Sequence, residues 1–166
     1  MTEFVHQRHK PPVSLETARE LIVACVPLRS NINLSHIVRT AGCSGVGRVI
    51  CCGNAKIDSK IARDGADSVV LEVRRTLAHR LLELKQAGYR LVGLEQTTGS
   101  VSLPQFAFER KTVLVVGNER LGIEPDILRL LDAVVEIPVF GQPHSFNVAT
   151  ATAMALYEFC CQFPHG

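Results

Sequence analysis

The chain has 166 residues, 46% of them hydrophobic, no Trp and a formal net charge of +2. That length suits one domain whose core needs no disulfides, and the composition excludes a disordered or fibrous protein. Arg29, Arg39 and Arg48 interrupt the early apolar runs, so none reaches the length of a membrane span, and the first twelve residues lack the apolar core of a signal peptide.

A cytoplasmic location and no membrane association are therefore expected. The six cysteines include two adjacent pairs and no CxxC spacing. Neighbours on a strand point to opposite faces, so the cysteines read as reduced, mostly apolar thiols, and no metal is expected. The charge is compatible with nucleic acid without indicating it.

Residues 21–26 (LIVACV) form a short apolar run, expected as a buried strand. From Asn33, a plausible N-cap, the spacing of Leu34, Ile37, Val38 and Ala41 predicts a helix that ends at Gly42, Gly45 and Gly47. Residues 48–52 predict a strand, 58–66 a short helix or loop, and 68–73 a strand. An amphipathic helix starts at Thr76, runs through Leu77, Leu81, Leu82 and Leu84, and closes at Gly88. Residues 89–94 predict a strand and 95–110 an irregular stretch. Residues 112–116 form the next strand. Pro125 suits the first turn of a helix through Ile127, Leu128 and Leu131. Residues 133–137 give a last strand and 145–161 a last helix. Alternating helices and nearly all-apolar strands point to an α/β fold, a mostly parallel sheet with helices on both faces. Residues 1–12 read as a basic tail and 13–166 as the domain.

Such a sheet places its chemistry in loops beyond the strand carboxyl ends. The last third breaks abruptly at such points: VLVVG into NERLG, VVEIPVF into GQPHSFN. No dinucleotide fingerprint follows a first strand, and no GxxxxGK[ST] loop is present. Four polar residues stand near predicted strand or helix ends: Arg39, Glu119, Ser145 and Asn147. Each has an ordinary structural explanation, namely pairing for Arg39, a helix-dipole contact for Glu119 and capping for the others.

Three segments resemble the motifs of the SpoU/TrmH family of RNA ribose 2′-O-methyltransferases, within the SPOUT superfamily. They are NLSHIVRTA at 33–41, LVVGNERLGI at 114–123, and IPV at 137–139 followed by SFNV at 145–148. Residues 88–108 are further similar to tRNA guanosine methyltransferases of that family. Phe146 departs from the Leu common at its place.

The resemblance implies a C-terminal deep trefoil knot and a homodimer joined through the first and last helices, with Ala41, Ala151, Ala153 and Ala155 allowing close packing. It implies S-adenosylmethionine as cofactor, held by main-chain groups near Leu94, Glu95, Gly117, Ile137 and Phe146. It also implies that Arg39 deprotonates the ribose hydroxyl or stabilises its charge, that Asn33 and Glu119 orient the region, and that Ser145 and Asn147 bind an RNA phosphate. The expected substrate is a tRNA D-loop guanosine. Ribosomal RNA, or a non-catalytic RNA-binding role on the same fold, are the alternatives.

Overall fold

Parallel strands buried on both faces organise the molecule, and a computed structural model describes residues 3–166. Residues 1 and 2 of the expected tail lie outside the described residues. From residue 3 to residue 20 the chain has neither helix nor strand. The elements then follow as β1 (Leu21–Cys25), α1 (Asn31–Cys43), β2 (Arg48–Cys52), α2 (Ser59–Ala62), α3 (Gly65–Ser68), β3 (Val70–Arg74), α4 (Ala78–Gln86) and β4 (Arg90–Leu94). After these come β5 (Val101–Ser102), a 3₁₀ turn (Leu103–Gln105), β6 (Thr112–Val116), α5 (Pro125–Leu128), β7 (Ala133–Glu136) and α6 (Val148–Gln162). The sheet order is β3-β2-β1-β6-β4-β7-β5, with every neighbouring pair parallel.

Successive strand residues face opposite ways, which divides the core in two. Leu21, Val23 and Cys25, with Leu114 and Val116, pack under α1 and α6 against Leu34, Ile37, Val38, Leu156 and Phe159. Ile22 and Ala24, with Val113 and Val115, pack on the other face against Leu81 and Leu84 of α4 and Ile127 of α5. Each fully buried side chain of this kind contributes about 1.5–3 kcal/mol. All six cysteines are free thiols, and burial pushes Cys51 up to about 11.

Several sequence expectations need correction. The first helix begins at Asn31, not Asn33, because the Ser30 side chain accepts from the Asn33 amide and so caps it. It closes at Ser44, and Gly45 takes the left-handed turn (φ 68°) that follows. The last helix begins at Val148, capped by Asn147, and Ser145 lies outside it. The helix expected from Thr76 begins at Ala78, and the one expected to reach Leu131 stops at Leu128. Ser68 belongs to α3, so the third strand starts two residues late. The stretch expected to be irregular contains β5 and the 3₁₀ turn. Ala41 and Ala155, expected between subunits, are buried where α1 and α6 pack within the chain.

On α1 the outward stripe is Ile32, His36, Arg39 and Cys43; on α6 it is Thr150, Met154, Tyr157 and Cys161. Both follow i, i+4, i+7, i+11 spacing, one face of a helix. No helix among the described residues is long and apolar enough to cross a membrane.

Candidate active site

The carboxyl ends of β4, β6 and β7 lie side by side, and the loops beyond them enclose a cleft of about 490 Å³. A parallel sheet brings these ends to one edge, so Leu94, Val116 and Glu136 all open into it. Ile137, Val139, Phe146 and Val148 line the apolar part, and Glu95, Asn118, Glu119, Ser145 and Asn147 the polar part. Of the cleft-lining residues, Val139, Ser145, Phe146 and Asn147 have amides that donate to no other main-chain group among the described residues. Unpaired main-chain donors beside apolar walls suit a nucleoside-like ligand bound by backbone.

Glu95 holds one wall. Its carboxylate accepts from the amides of Gln96 (3.0 Å) and Ile123 (3.1 Å), and its own amide donates to the Val135 carbonyl (3.0 Å). The second loop turns back on itself: Asn118 and Gly122 exchange main-chain hydrogen bonds, and the Asn118 side chain accepts from the amides of Arg120 and Leu121. Gly122 sits at φ 66°, and a Cβ there would meet the Glu95 carboxylate at 2.5 Å. A Cβ on Gly117 would lie 2.8 Å from the Gly122 carbonyl carbon. Gly117 is thus required first by the packing of its own loop.

Glu119 anchors the other side. It accepts from the amides of Arg29 (2.8 Å) and Ser30 (3.0 Å) and from the Asn33 side chain (2.9 Å). Partial burial opposes its ionisation, yet these donors outweigh it and hold the carboxyl below the usual carboxylate range. Asn33 in turn accepts from the Asn147 side chain (3.1 Å), whose oxygen accepts from the amides of Ala149 and Thr150. One polar chain therefore runs from the β6 loop through α1 to the start of α6. Asn147 thus occupies two amides of that helix end, leaving neither free for a phosphate.

Of the expected cofactor positions, Leu94, Glu95, Gly117, Ile137 and Phe146 all line the cleft, as do Glu119, Ser145 and Asn147. Asn33 is tied to it through the polar chain. Arg39 is not brought there by its own chain. It stands six residues from Asn33, about 120° around the helix, and is exposed without a side-chain hydrogen bond or ion pair among the described residues. Sequence reasoning missed Asn118 and Gly122, whose Asn-to-Gly spacing is a turn signal. It also missed that Glu95 acts through its carboxylate. No group of three or more His, Cys, Asp or Glu among the described residues is arranged to hold a metal ion.

Comparison with known proteins adds a family. The model of the SpoU rRNA Methylase family matches residues 20–157, which span the sheet, the cleft and most of α6. The chain belongs to this family. A SpoU relative from Aquifex aeolicus (strain VF5), a tRNA (guanosine(18)-2′-O)-methyltransferase, is 34% identical over 146 residues, 84% of this chain and 68% of the relative. The crystal structure of the A. aeolicus TrmH/SpoU tRNA modifying enzyme superposes with a TM-score of 0.83 at 33% identity, covering 88% of this chain and 76% of that one. The SpoU methyltransferase AviRb from Streptomyces viridochromogenes, solved in complex with the cofactor AdoMet, gives a TM-score of 0.75 at 26% identity, covering 92% and 64%. The chain thus spans about two thirds of the length of such relatives.

Proposed function

We propose that this chain is the methyl-transferring domain of an RNA ribose 2′-O-methyltransferase that uses S-adenosylmethionine and acts on a tRNA D-loop guanosine. One observation carries the reading most: a cleft walled by apolar side chains and unpaired main-chain amides adjoins a polar chain, Glu119–Asn33–Asn147, at the start of α6. The AdoMet-bound relative and the tRNA-modifying relatives support the same assignment.

When bound, S-adenosylmethionine supplies an electrophilic methyl for the ribose 2′-oxygen. Main-chain groups at Leu94, Glu95, Gly117, Ile137 and Phe146 would hold its nucleoside, and Ile137, Val139 and Phe146 would exclude water from it. Glu119 and Asn33 fix the loop after β1 against the cleft. The Ser145 hydroxyl, without a hydrogen-bond partner among the described residues, and Asn147 line the cleft and would meet an RNA phosphate. In-line positioning supplies much of the rate. The part of Arg39 is to stabilise charge on the 2′-oxygen as the proton leaves to an RNA phosphate.

Arg39 lies on the outward stripe of α1 with the exposed apolar Ile32, and the outward stripe of α6 exposes Met154 and Tyr157. This supports a homodimer in which Arg39 meets a cleft only through assembly. On the same reading the C-terminal segment is knotted, residues 1–12 are a basic tail of the 13–166 domain, and the protein works in the cytoplasm.

The test is transfer of labelled methyl from S-adenosylmethionine to unmodified tRNA and ribosomal RNA, with the product mapped. A 2′-O-methyl D-loop guanosine is the expected product. A mark on ribosomal RNA alone would overturn the substrate, and no mark with cofactor still bound would favour a binding role.

A further inference from the structure

The cations of this chain differ in pairing between the two edges of the sheet, with Arg48 at the start of β2 an exposed exception that has no side-chain partner among the described residues. On the amino side Lys111 pairs with Glu20 and Arg90 with Glu109, while Arg129 after α5 pairs with Asp126. Beyond the carboxyl ends the pattern reverses. Arg29 follows β1, Lys56, Lys60 and Arg63 follow β2, Arg75 follows β3, and Arg120 follows β6. All six are exposed, and none forms a side-chain ion pair or hydrogen bond among the described residues. Arg74, the last residue of β3, is tied to Glu72, so the free series begins just past it.

The loop after β2 is fixed to the helix that carries Asn33. The Lys56 amide donates to the Asn31 side chain (3.2 Å), and the Asp58 amide donates to the Ser35 hydroxyl (2.8 Å). A Cβ on Gly65 would stand 2.9 Å from the Arg39 Cα, so the segment after this loop packs directly on α1. Asp58, Asp64 and Asp67 share the surface, and the Asp58 carboxylate accepts from the Lys60 amide (2.9 Å) while keeping its charge. Glu119 likewise accepts from its three donors. From β6 to β3 the edge spans three strand spacings, about 14 Å. That is room for a few consecutive phosphates.

We propose, building on the methyltransferase reading, that the target RNA leaves the cleft along this edge, its phosphates passing Arg120 and Arg29 and then Lys56, Lys60 and Arg63 toward Arg75. A polyanion neutralised by such side chains releases counterions, so affinity falls with salt in proportion to the contacts made. The track sets where the RNA lies, and the cleft selects the reacting ribose.

The experiment compares the parent with K56Q/K60Q/R63Q and with R48Q/K111Q/R129Q, which removes equal charge elsewhere. A fluorescein-labelled, unmodified tRNA transcript is titrated from 50 to 200 mM salt. Cofactor affinity by calorimetry reports that each protein is folded. Three lost phosphate contacts at a slope of roughly 0.7 each predict that the parent loses about 20-fold more affinity over this range than the loop variant. The control variant should behave like the parent. Equal losses in both variants, or none in the loop variant, would overturn the track. A parent that binds no RNA would overturn both readings. Loop-dependent binding without methyl transfer would keep the track and sink the transferase.

Discussion

Replacing Gly122 by Ala tests whether the Glu95 carboxylate truly shapes the cleft wall. The new Cβ adds strain at φ 66° and points at the Glu95 carboxylate 2.5 Å away. Left-handed backbone costs a non-glycine residue about 1–2 kcal/mol. Displacing the carboxylate leaves the buried Ile123 amide without its 3.1 Å acceptor, about 1–3 kcal/mol more. The sum, about 2–5 kcal/mol, corresponds to a fall in melting temperature of roughly 4–20 °C for a chain of this size. A double-mutant cycle isolates the contact. E95A alone also strands the Ile123 amide, so in G122A/E95A that loss is counted once and the steric conflict is gone. The double variant should then be about 1–3 kcal/mol more stable than the two single effects added. G117A should be rescued only in part by E95A, because its Cβ would meet the Glu95 carboxylate at 2.9 Å but also main-chain carbon of Gly122 at 2.8 Å, which E95A cannot move. Additivity of G122A and E95A within about 0.5 kcal/mol would refute the wall described here.

Glu119 predicts an acid limb. Its folded pKa is depressed, so its contribution is present above the unfolded carboxylate value and is lost as pH falls through the folded one. E119Q should therefore melt lower than the parent at pH 7, with the gap closing toward pH 3; a constant gap would show that its donors bind the neutral side chain equally well. Asn147 separates capping from catalysis. N147D keeps an oxygen for Ala149 and Thr150 but cannot donate to Asn33, so it should retain melting temperature while lowering kcat/KM for RNA at least tenfold. N147A should lose about 0.5–2 kcal/mol of stability as well, and equal stability loss in both would void the distinction. If Arg39 reaches a cleft across the dimer, mixing inactive R39A with inactive E119A subunits should restore part of the activity through mixed dimers. No recovery after verified subunit exchange would place Arg39 at its own chain's cleft or outside the chemistry.

The two strands with the plainest sequence signal, Arg48–Cys52 and Thr112–Val116, have the expected bounds, each one residue ahead of its apolar run. Burial on both faces leaves composition little choice there. The start of α1 was less visible, because Ser30, Asn31 and Asn33 are all acceptable caps. Tertiary contact decided it: with Ser30 as cap, the Asn33 side chain is free to bridge Glu119 and Asn147. β5 escaped notice because its two residues owe their strand character to pairing with β7, not to their own pattern. The cleft-lining positions Leu94, Glu95, Gly117, Ile137 and Phe146 came from motif resemblance alone, since apolar walls leave almost no charged signature. The separation of Arg39 from that site, by contrast, follows from counting residues around α1.

The place of β7 in the sheet also sets an order of events during synthesis. It lies between β4 and β5, both of which precede it in the chain. Thirty residues separate Ser102 from Ala133, so at ~5–20 residues per second the ribosome delivers the missing strand about two to six seconds after its second neighbour. Throughout that interval β4 carries a bare, apolar edge, the kind that recruits strands from other chains. Concentration and temperature should therefore limit the yield of refolding more than they limit the stability of the finished protein.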